Sequence, residues 1–530
     1  MVGRTGHHRT TRIGAICLAI STISTLSLVA GCSATSSSKS QQSSPAGKAG
    51  RPNAGTPTGG DSAGQADTGD SRVDIPGASS EVEAATHPTS TFAMDVDTAS
   101  YGYARRLLRD GHRPEASTVR PEEFVNAFRQ DYPAPAGNGF TVRTDGAQLP
   151  RSHRTTGDTR LLRVGLRTRP DDPSRRPDAA LTFVVDVSGS MGEPGKLDLV
   201  KSALHTLVEQ LRPTDSVALV AYDDTARTLR EMTSVRDRRA LLDAIDGLRV
   251  GGSTNLEAGL VRGYDVARAG FRSGASNRVV LLSDGLANVG DTDAAPILDR
   301  VREAAAKQIS LLGVGVGSDY GDALMEQLAD RGDGFVVYVS EVEQARRIFV
   351  DRLPATLAVR ALDAKVQVTF DPEAVSTYRL IGYDDRALRP SDFRNDRVDG
   401  GEVGPGHTVT ALYTVRLRDR AAGQVAEARV RWLDPVSREA NETAVTVTVE
   451  DLGGSLQAAS PQLRVDYAAA YFAESLRGSR YGDEVRLEDL ASIAEHAAAR
   501  TENAPTGAEP GAGDADVADL ASLIRRAERV

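Results

Sequence analysis

Asp186, Ser188 and Ser190 follow an apolar run in the stretch LTFVVDVSGSMGE, Leu181 to Glu193. The run Leu181 to Val185 belongs in a buried strand, so that strand hands a carboxylate and two hydroxyls to one point beside Gly189 and Gly192. Two further stretches have the same character. GGSTN, Gly251 to Asn255, lies in a loop ahead of a helical pattern and offers Thr254, and LLSDGLANVG ends a second apolar run in Asp284. Two carboxylates and three hydroxyls are all hard oxygen, with no His or Cys among them. That donor set suits Mg²⁺, or Mn²⁺ or Ca²⁺, and does not suit zinc. If the carboxylates act largely through bound water and the hydroxyls ligate directly, a divalent ion stays electron-poor. It then takes one more anionic oxygen from outside, such as the exposed Asp or Glu of a protein partner. Gly189, Gly192, Gly251 and Gly252 keep the rim bare for that approach. Such a site binds rather than hydrolyses.

These residues need a scaffold that brings strand ends together. From Leu181 to about Leu353 apolar strand-like runs alternate with amphipathic helical runs. LTFVVD, SVALVAY, RVVLLSDG, ISLLGVGVG and FVVYV read as strands. KLDLVKSALHTLVEQL, RRALLDAIDGL, LEAGLVRGYDVARA, APILDRVREAAAKQ, DALMEQLADRG and VEQARRIFVDRL read as helices. The pattern predicts an α/β, doubly wound, mostly parallel sheet covered on both faces. In such sheets ligands sit at the carboxyl ends of the strands, where Asp186 and Asp284 fall.

The flanks are different. TFAMDVD predicts a short strand, ASYGYARRLLRDG a helix closed by Gly111, and RPEEFVNAF a helix with Pro121 in its first turn. Period-two patterning in RLLRVGLRTR returns after Val359 in AKVQVTF, YRLIGY, TVTALYTVRLR, AEARVRWL and TAVTVTVE, which predicts a β-sandwich-like domain. Because β patterning lies on both sides of the α/β block, the flanks are expected to share one sheet system with that block inserted. Trp432, the sole tryptophan, belongs in the core of the β region. Helices follow at Leu463 to Leu476, at Leu487 to Ala499, and around Val517 to Ile524. The expected organisation is a signal peptide at 1–31, a Ser/Gly/Pro-rich tether at 32–85, a small α/β unit at 86–136, and a β segment at 137–177. The doubly wound domain follows at 178–355, the sandwich at 356–452 and a helical region at 453–530.

DVSGSM resembles the D-x-S-x-S element of von Willebrand factor type A (VWA) domains, and Thr254 and Asp284 match the other elements of that family's metal-ion-dependent adhesion site. The resemblance implies direct ligation by Ser188, Ser190 and Thr254, with Asp186 and Asp284 acting mostly through water. STFAMDVDTASYGYARRLLRDG, RPEEFVNAFRQDYPAP and YRLIGYDDRALRPSDF are similar to the flanking regions of bacterial VWA-domain lipoproteins, and DYAAAYFAESLRGS to their C-terminal extension. The likeness runs from about Thr91 to Ala499.

The amino terminus bears on location. Arg4, Arg9 and Arg12 precede a segment from Ile13 to Ala30 that is apolar with interspersed Ser and Thr, which reads as a signal peptide. LVAGC resembles the lipobox of bacterial lipoproteins, which implies a lipid on Cys32 and an extracytoplasmic protein anchored to the cell membrane. Several acyl chains hold firmly at about 0.8 kcal/mol per buried CH₂. The other cysteine, Cys17, lies in the segment that would be removed, so the mature chain would keep no spare thiol. The whole chain carries 63 Lys and Arg against 73 Asp and Glu, a net charge of −10, and loss of those three arginines makes it more acidic still. That balance argues against a nucleic-acid partner.

Competing chemistry is thin. FAMDVDTAS carries the D-x-D-x-T pattern of HAD-type phosphatases, with Asp95 as nucleophile and Asp97 as acid/base, but no phosphatase-like series continues it. The alternative is that Asp95 and Asp97 cap the helix beginning at Ala99 or bridge to a neighbour. No phosphate loop, nucleophile elbow or H-E-x-x-H zinc motif is present, and no catalytic residues are expected. The remaining rival to a binding module is an envelope scaffold in which the metal site is structural.

Overall fold

The computed structural model describes residues 80–94, 97–150, 157–170, 176–284, 294–305, 307–317, 325, 328–329, 332, 334–339, 359–398, 400–435, 437–501 and 512–530. The expected signal peptide, Cys32, the expected tether up to residue 79, Asp95 and the helical pattern VEQARRIFVDRL lie outside the described residues. The last residues of the expected tether, 80–85, instead carry the short strand Val82–Glu83 with Ala84 buried beside it, so order begins before residue 86.

The chain opens with β1 (Val82–Glu83), β2 (Thr89–Ala93), α1 (Ala99–Arg109), α2 (Pro121–Asn126), β3 (Phe140–Gln148) and β4 (Asp158–Thr168). The α/β block follows as β5 (Ala179–Asp186), α3 (Leu197–Gln210), β6 (Ser216–Tyr222), β7 (Ala226–Ser234), α4 (Arg238–Asp246), α5 (Leu256–Ala269), β8 (Ser276–Ser283), α6 (Ala294–Ala305), β9 (Ile309–Val316) and β10 (Phe335–Val339). The chain then gives β11 (Ala361–Phe370), β12 (Val375–Ile381), β13 (Ala387–Leu388), β14 (Gly401–Val403), β15 (Thr408–Leu417), β16 (Gln424–Leu433) and β17 (Ala440–Thr448). It closes with α7 (Pro461–Leu476), α8 (Leu487–Thr501) and α9 (Ala512–Ala527).

The central sheet has the order β10-β9-β8-β5-β6-β7. All its pairings are parallel except that of β7, which runs antiparallel to β6 as a half-exposed edge. β5 is buried along its whole length, which its unbroken apolar run requires. Its side chains alternate between two cores. Leu181, Phe183 and Val185 join α3 and α4 through Leu204, Leu207, Leu241 and Ile245, while Val184 joins α5 and α6 through Leu260, Tyr264, Ile297 and Val301. This is the doubly wound architecture that the alternating pattern predicts. The edge strand β7 was not predicted, because ARTLREMTS mixes charge and apolarity without a clean period.

The other strands form two antiparallel sheets. One runs β1-β12-β15-β4-β3 and the other β13-β2-β11-β16-β17, with β14 also on β11. β4, which precedes the central domain, pairs with β15 from Thr408–Arg167 to Leu417–Asp158, and β2 pairs with β11. The strand before α1 is therefore part of the sandwich sheet. The sandwich core interleaves Leu162, Val164 and Leu166 with Val366, Val368 and Phe370 and with Val409, Tyr413 and Val415. Trp432 is buried there, edge-on to Phe140 at 5.1 Å between ring centroids.

Helices α1, α2, α7, α8 and α9 share a separate core that rests on Leu161, Ile381 and Leu412 of the first sheet. α7 is buried nearly all round, not on one face only. Its two buried carboxylates are accordingly paired: Glu474 with Arg379 at 2.7 Å, and Asp466 with Arg163 at 2.9 Å. The Arg379 guanidinium also lies 3.6 Å from the Tyr481 ring centroid.

Candidate metal centre

The centre lies at the carboxyl ends of β5 and β8, neighbours in the sheet. β5 ends in Asp186, which is fully buried. One carboxylate oxygen accepts the Ser188 N–H at 2.8 Å; the other accepts the Ser283 hydroxyl at 2.8 Å and the Tyr222 hydroxyl at 3.3 Å. Burial pushes the Asp186 carboxyl above its ordinary value, and these bonds only partly offset that. Burial beside Asp186 likewise raises the Tyr222 phenol, which keeps it a donor.

After Asp186 the chain turns sharply through Ser188 and the single helical turn Gly189–Gly192. The Ser188 and Ser190 hydroxyl oxygens come to 3.2 Å, and Ser190 donates to Asp284 Oδ1 at 3.0 Å. Ser188 is buried and Ser190 exposed, so the pair runs from the floor of the site to its mouth. Asp284 directly follows β8 and is buried.

The third segment is docked by backbone bonds. Gly189 N–H donates to the Gly252 carbonyl at 3.0 Å, and Gly251 N–H to the Val187 carbonyl at 2.8 Å. Gly252 has φ +72°, and a Cβ there would sit 2.7 Å from Asp224 Oδ2, so the close turn requires glycine. Ser253 N–H donates to Asp224 at 3.0 Å, and Asn255 caps α5 by accepting from Ala258 N–H at 3.0 Å. Thr254, buried, is held between these two anchors.

The structure thus brings Asp186, Ser188, Ser190 and Asp284 together through hydrogen bonds and docks the Thr254 loop against them. The donor chemistry fits a hard divalent ion: two carboxylates, three hydroxyls and no nitrogen or sulfur. Among the described residues, no group of three or more His, Cys, Asp or Glu is placed to hold a metal ion, so any site here must be completed by hydroxyls.

Three residues at the site were missed in the sequence. Tyr222 and Ser283 end their strands and turn polar atoms onto Asp186. Lys196 is buried, and its ammonium bonds Asp284 Oδ2 at 2.8 Å and Glu193 at 2.9 Å. Burial alone would depress that ammonium, but the two carboxylates outweigh it and hold it above the usual lysine range. Only the GK step just before a helical pattern marked this position. Within the D-x-D-x-T pattern, Asp97 has a structural contact. Asp97 is buried, accepts Val336 N–H of β10 at 2.8 Å and meets Arg386 at 3.4 Å, so it bridges the sandwich to the central sheet. It does not cap α1, whose N-cap is Thr98 with no side-chain cap bond.

The chain has recognisable relatives. The family model for the von Willebrand factor type A domain matches residues 180–350, one described as von Willebrand factor matches 76–157, and one for the C-terminal part of uncharacterized protein YfbK matches 355–507. Uncharacterized protein YfbK of Escherichia coli (strain K12) is 32% identical over 443 residues, spanning 78% of this chain and 76% of that protein. The chain belongs to the YfbK family of VWA-domain proteins. Uncharacterized protein sll0103 of Synechocystis is 30% identical over 290 residues, 53% of this chain and 68% of that one. Human inter-alpha-trypsin inhibitor heavy chain H3 is 29% identical over 179 residues, 32% of this chain and 19% of that protein. A solved structure, von Willebrand factor type A from Catenulispora acidiphila, is 16% identical and covers 75% of this chain and 99% of its own, with a TM-score of 0.45. Residues 180–350 of the chain form a VWA domain, a domain that is commonly a metal-dependent adhesion or protein-interaction module.

Proposed function

We propose that this protein is a surface-exposed binding protein, anchored to the membrane by lipid on Cys32. It captures a protein partner by presenting a divalent ion, Mg²⁺ in the first instance, to the partner's Asp or Glu side chain. The observation that carries this reading is the convergence of Asp186, Ser188, Ser190 and Asp284 on one strand-end crevice, with the Thr254 loop docked over it. Exposed Ser190 and the exposed Gly189, Gly192 and Gly252 leave the crevice open to an outside carboxylate. In this reading Ser188, Ser190, Thr254, Asp186 and Asp284 would hold the ion, which would supply Lewis acidity toward an outside carboxylate, and the exposed rim would keep it accessible.

The test is capture from envelope extract by purified full-length mature protein, with Mg²⁺ against EDTA and with Ser190→Ala and Thr254→Ala variants. Specific partners should be retained only with Mg²⁺ and only by the unaltered site. Retention indifferent to EDTA and to both substitutions would reject the adhesive reading. The anchor has its own test: Cys32→Ala should release the protein from the membrane fraction or leave it as uncleaved precursor, and unchanged fractionation and processing would refute lipidation.

A further inference from the structure

A buried ammonium at the edge of an ion site needs a reason, because burying a lysine costs several kcal/mol unless it is well paired. The Lys196 side chain is 3% exposed and Asp284 is 2% exposed. The lysine reaches Asp284 Oδ2 at 2.8 Å, while the other oxygen of the same carboxylate accepts the Ser190 hydroxyl at 3.0 Å. Asp284 is therefore gripped from two sides, by a hydroxyl of the candidate ligand set and by a fixed positive charge. The second partner of the lysine, Glu193, is 62% exposed, so water screens its charge far more than that of Asp284.

The path of the lysine is also built. Gly317, directly after β9, has φ +85°, and a Cβ there would stand 2.7 Å from Lys196 Cε and 3.1 Å from its Cδ. The lysine stem thus lies against bare backbone of a third chain segment. A side chain added to that glycine would meet it.

We propose that Lys196 is a positioning residue that sets the charge of the metal centre. This rests on the metal-dependent reading above and deepens it. Two carboxylates, Asp186 and Asp284, would cancel the charge of a divalent ion. Lys196 compensates Asp284, so the bound ion keeps net positive charge for an outside carboxylate. The same compensation weakens the hold on the bare ion. Lys196 thereby trades ion affinity for affinity toward an acidic ligand, two quantities coupled through one charge. It also turns Asp284 so that one oxygen faces Ser190.

The experiment uses full-length mature protein with Mn²⁺ alone as probe, its free concentration read by electron paramagnetic resonance, and then Mn²⁺ with acetate as the outside carboxylate. Lys196→Met should bind Mn²⁺ about tenfold more tightly than wild type, within the ordinary range of site-to-site coupling, and should lose any strengthening by acetate. Lys196→Arg, which keeps the charge, should stay close to wild type. If Lys196→Met does not fold, Lys196→Gln, which keeps a donor without charge, carries the same expectation. A residue that merely supported the fold would weaken Mn²⁺ binding when replaced. Folded neutral variants that bind Mn²⁺ no more tightly than wild type would overturn the proposal while leaving the metal-dependent reading standing. Wild-type protein that binds no Mn²⁺ would overturn both.

Discussion

Asp186→Ala is the obvious way to empty the site, but the structure says it will not act on the ion alone. The Asp186 carboxylate accepts from Ser188 N–H at 2.8 Å, Ser283 O–H at 2.8 Å and Tyr222 O–H at 3.3 Å, and all four residues are buried. Truncation removes the acceptor that these three donors share. Each lost bond to the buried carboxylate costs about 1–3 kcal/mol, and removing the buried charge returns part of that, so the net loss is about 3 kcal/mol. In a domain of this size that lowers Tm by about 6–12 °C. Ser190→Ala removes one exposed hydroxyl and should cost less than about 1 kcal/mol. Magnesium separates stability from ion binding. At about a hundred times Kd the ion should stabilise wild type by about 2.7 kcal/mol. The assay is thermal unfolding of the full-length mature protein with Mg²⁺ and with EDTA. Wild type should melt higher in Mg²⁺, Ser190→Ala should match wild type in EDTA but lose most of the magnesium shift, and Asp186→Ala should melt low in both. An Asp186→Ala protein that melts with wild type in EDTA would refute the view that this carboxylate organises the strand ends.

Asp215 plays the corresponding part at the opposite end of the sheet, where its buried carboxylate accepts Ala179 N–H at 2.8 Å, Arg212 N–H at 2.7 Å and the Arg176 guanidinium at 2.5 Å. Asp215→Asn should cost about 3 kcal/mol at neutral pH by denaturant unfolding. Burial alone would raise this carboxyl, but Arg176 outweighs it and holds it below the ordinary value, so its stabilisation is present above the unfolded pKa and is lost as the pH falls through the folded one. The gap between wild type and variant should therefore narrow below about pH 4; a gap that widens there would contradict the assignment. In the helical cap, Arg379→Met should cost about 3–5 kcal/mol because it strands buried Glu474, whereas Arg379→Met with Glu474→Leu should recover most of that loss. Equal stability of the single and double variants would show that the pair is not coupled. At the seam between sandwich and central sheet, Asp97→Ala should cost about 1–3 kcal/mol, since it orphans the Val336 N–H; no measurable loss would remove Asp97 from that seam.

What could be read from the sequence divides by range of interaction. β5, β6, β8 and β9 were legible because strands buried on both faces must be apolar without interruption, and LTFVV, SVALVAY, RVVLLS and ISLLGVGV leave little else to be. Asp186 and Asp284 were legible because each is a charge that interrupts such a run at its carboxyl end, where the architecture puts ligands. β7 was not, since an edge strand with one half-exposed face pays no penalty for ARTLRE. The helical run of α7 was legible, but its burial nearly all round was not, because it depends on Arg379 and Arg163, from strands far away in sequence, pairing with Glu474 and Asp466. No periodicity within the helix announces a partner supplied by another segment. Lys196 is the same kind of case. A lone lysine before an amphipathic helix reads as a solvated charge, and nothing local marks it as buried. Its burial follows from Asp284, which comes from β8, and from Gly317, which comes from β9. The candidate ligands lie in strand-end motifs that local sequence can encode, but the position of the charged lysine beside them is set by three segments that meet only in the folded sheet. Reading the electrostatics of such a centre therefore requires the topology, even where reading its donors does not.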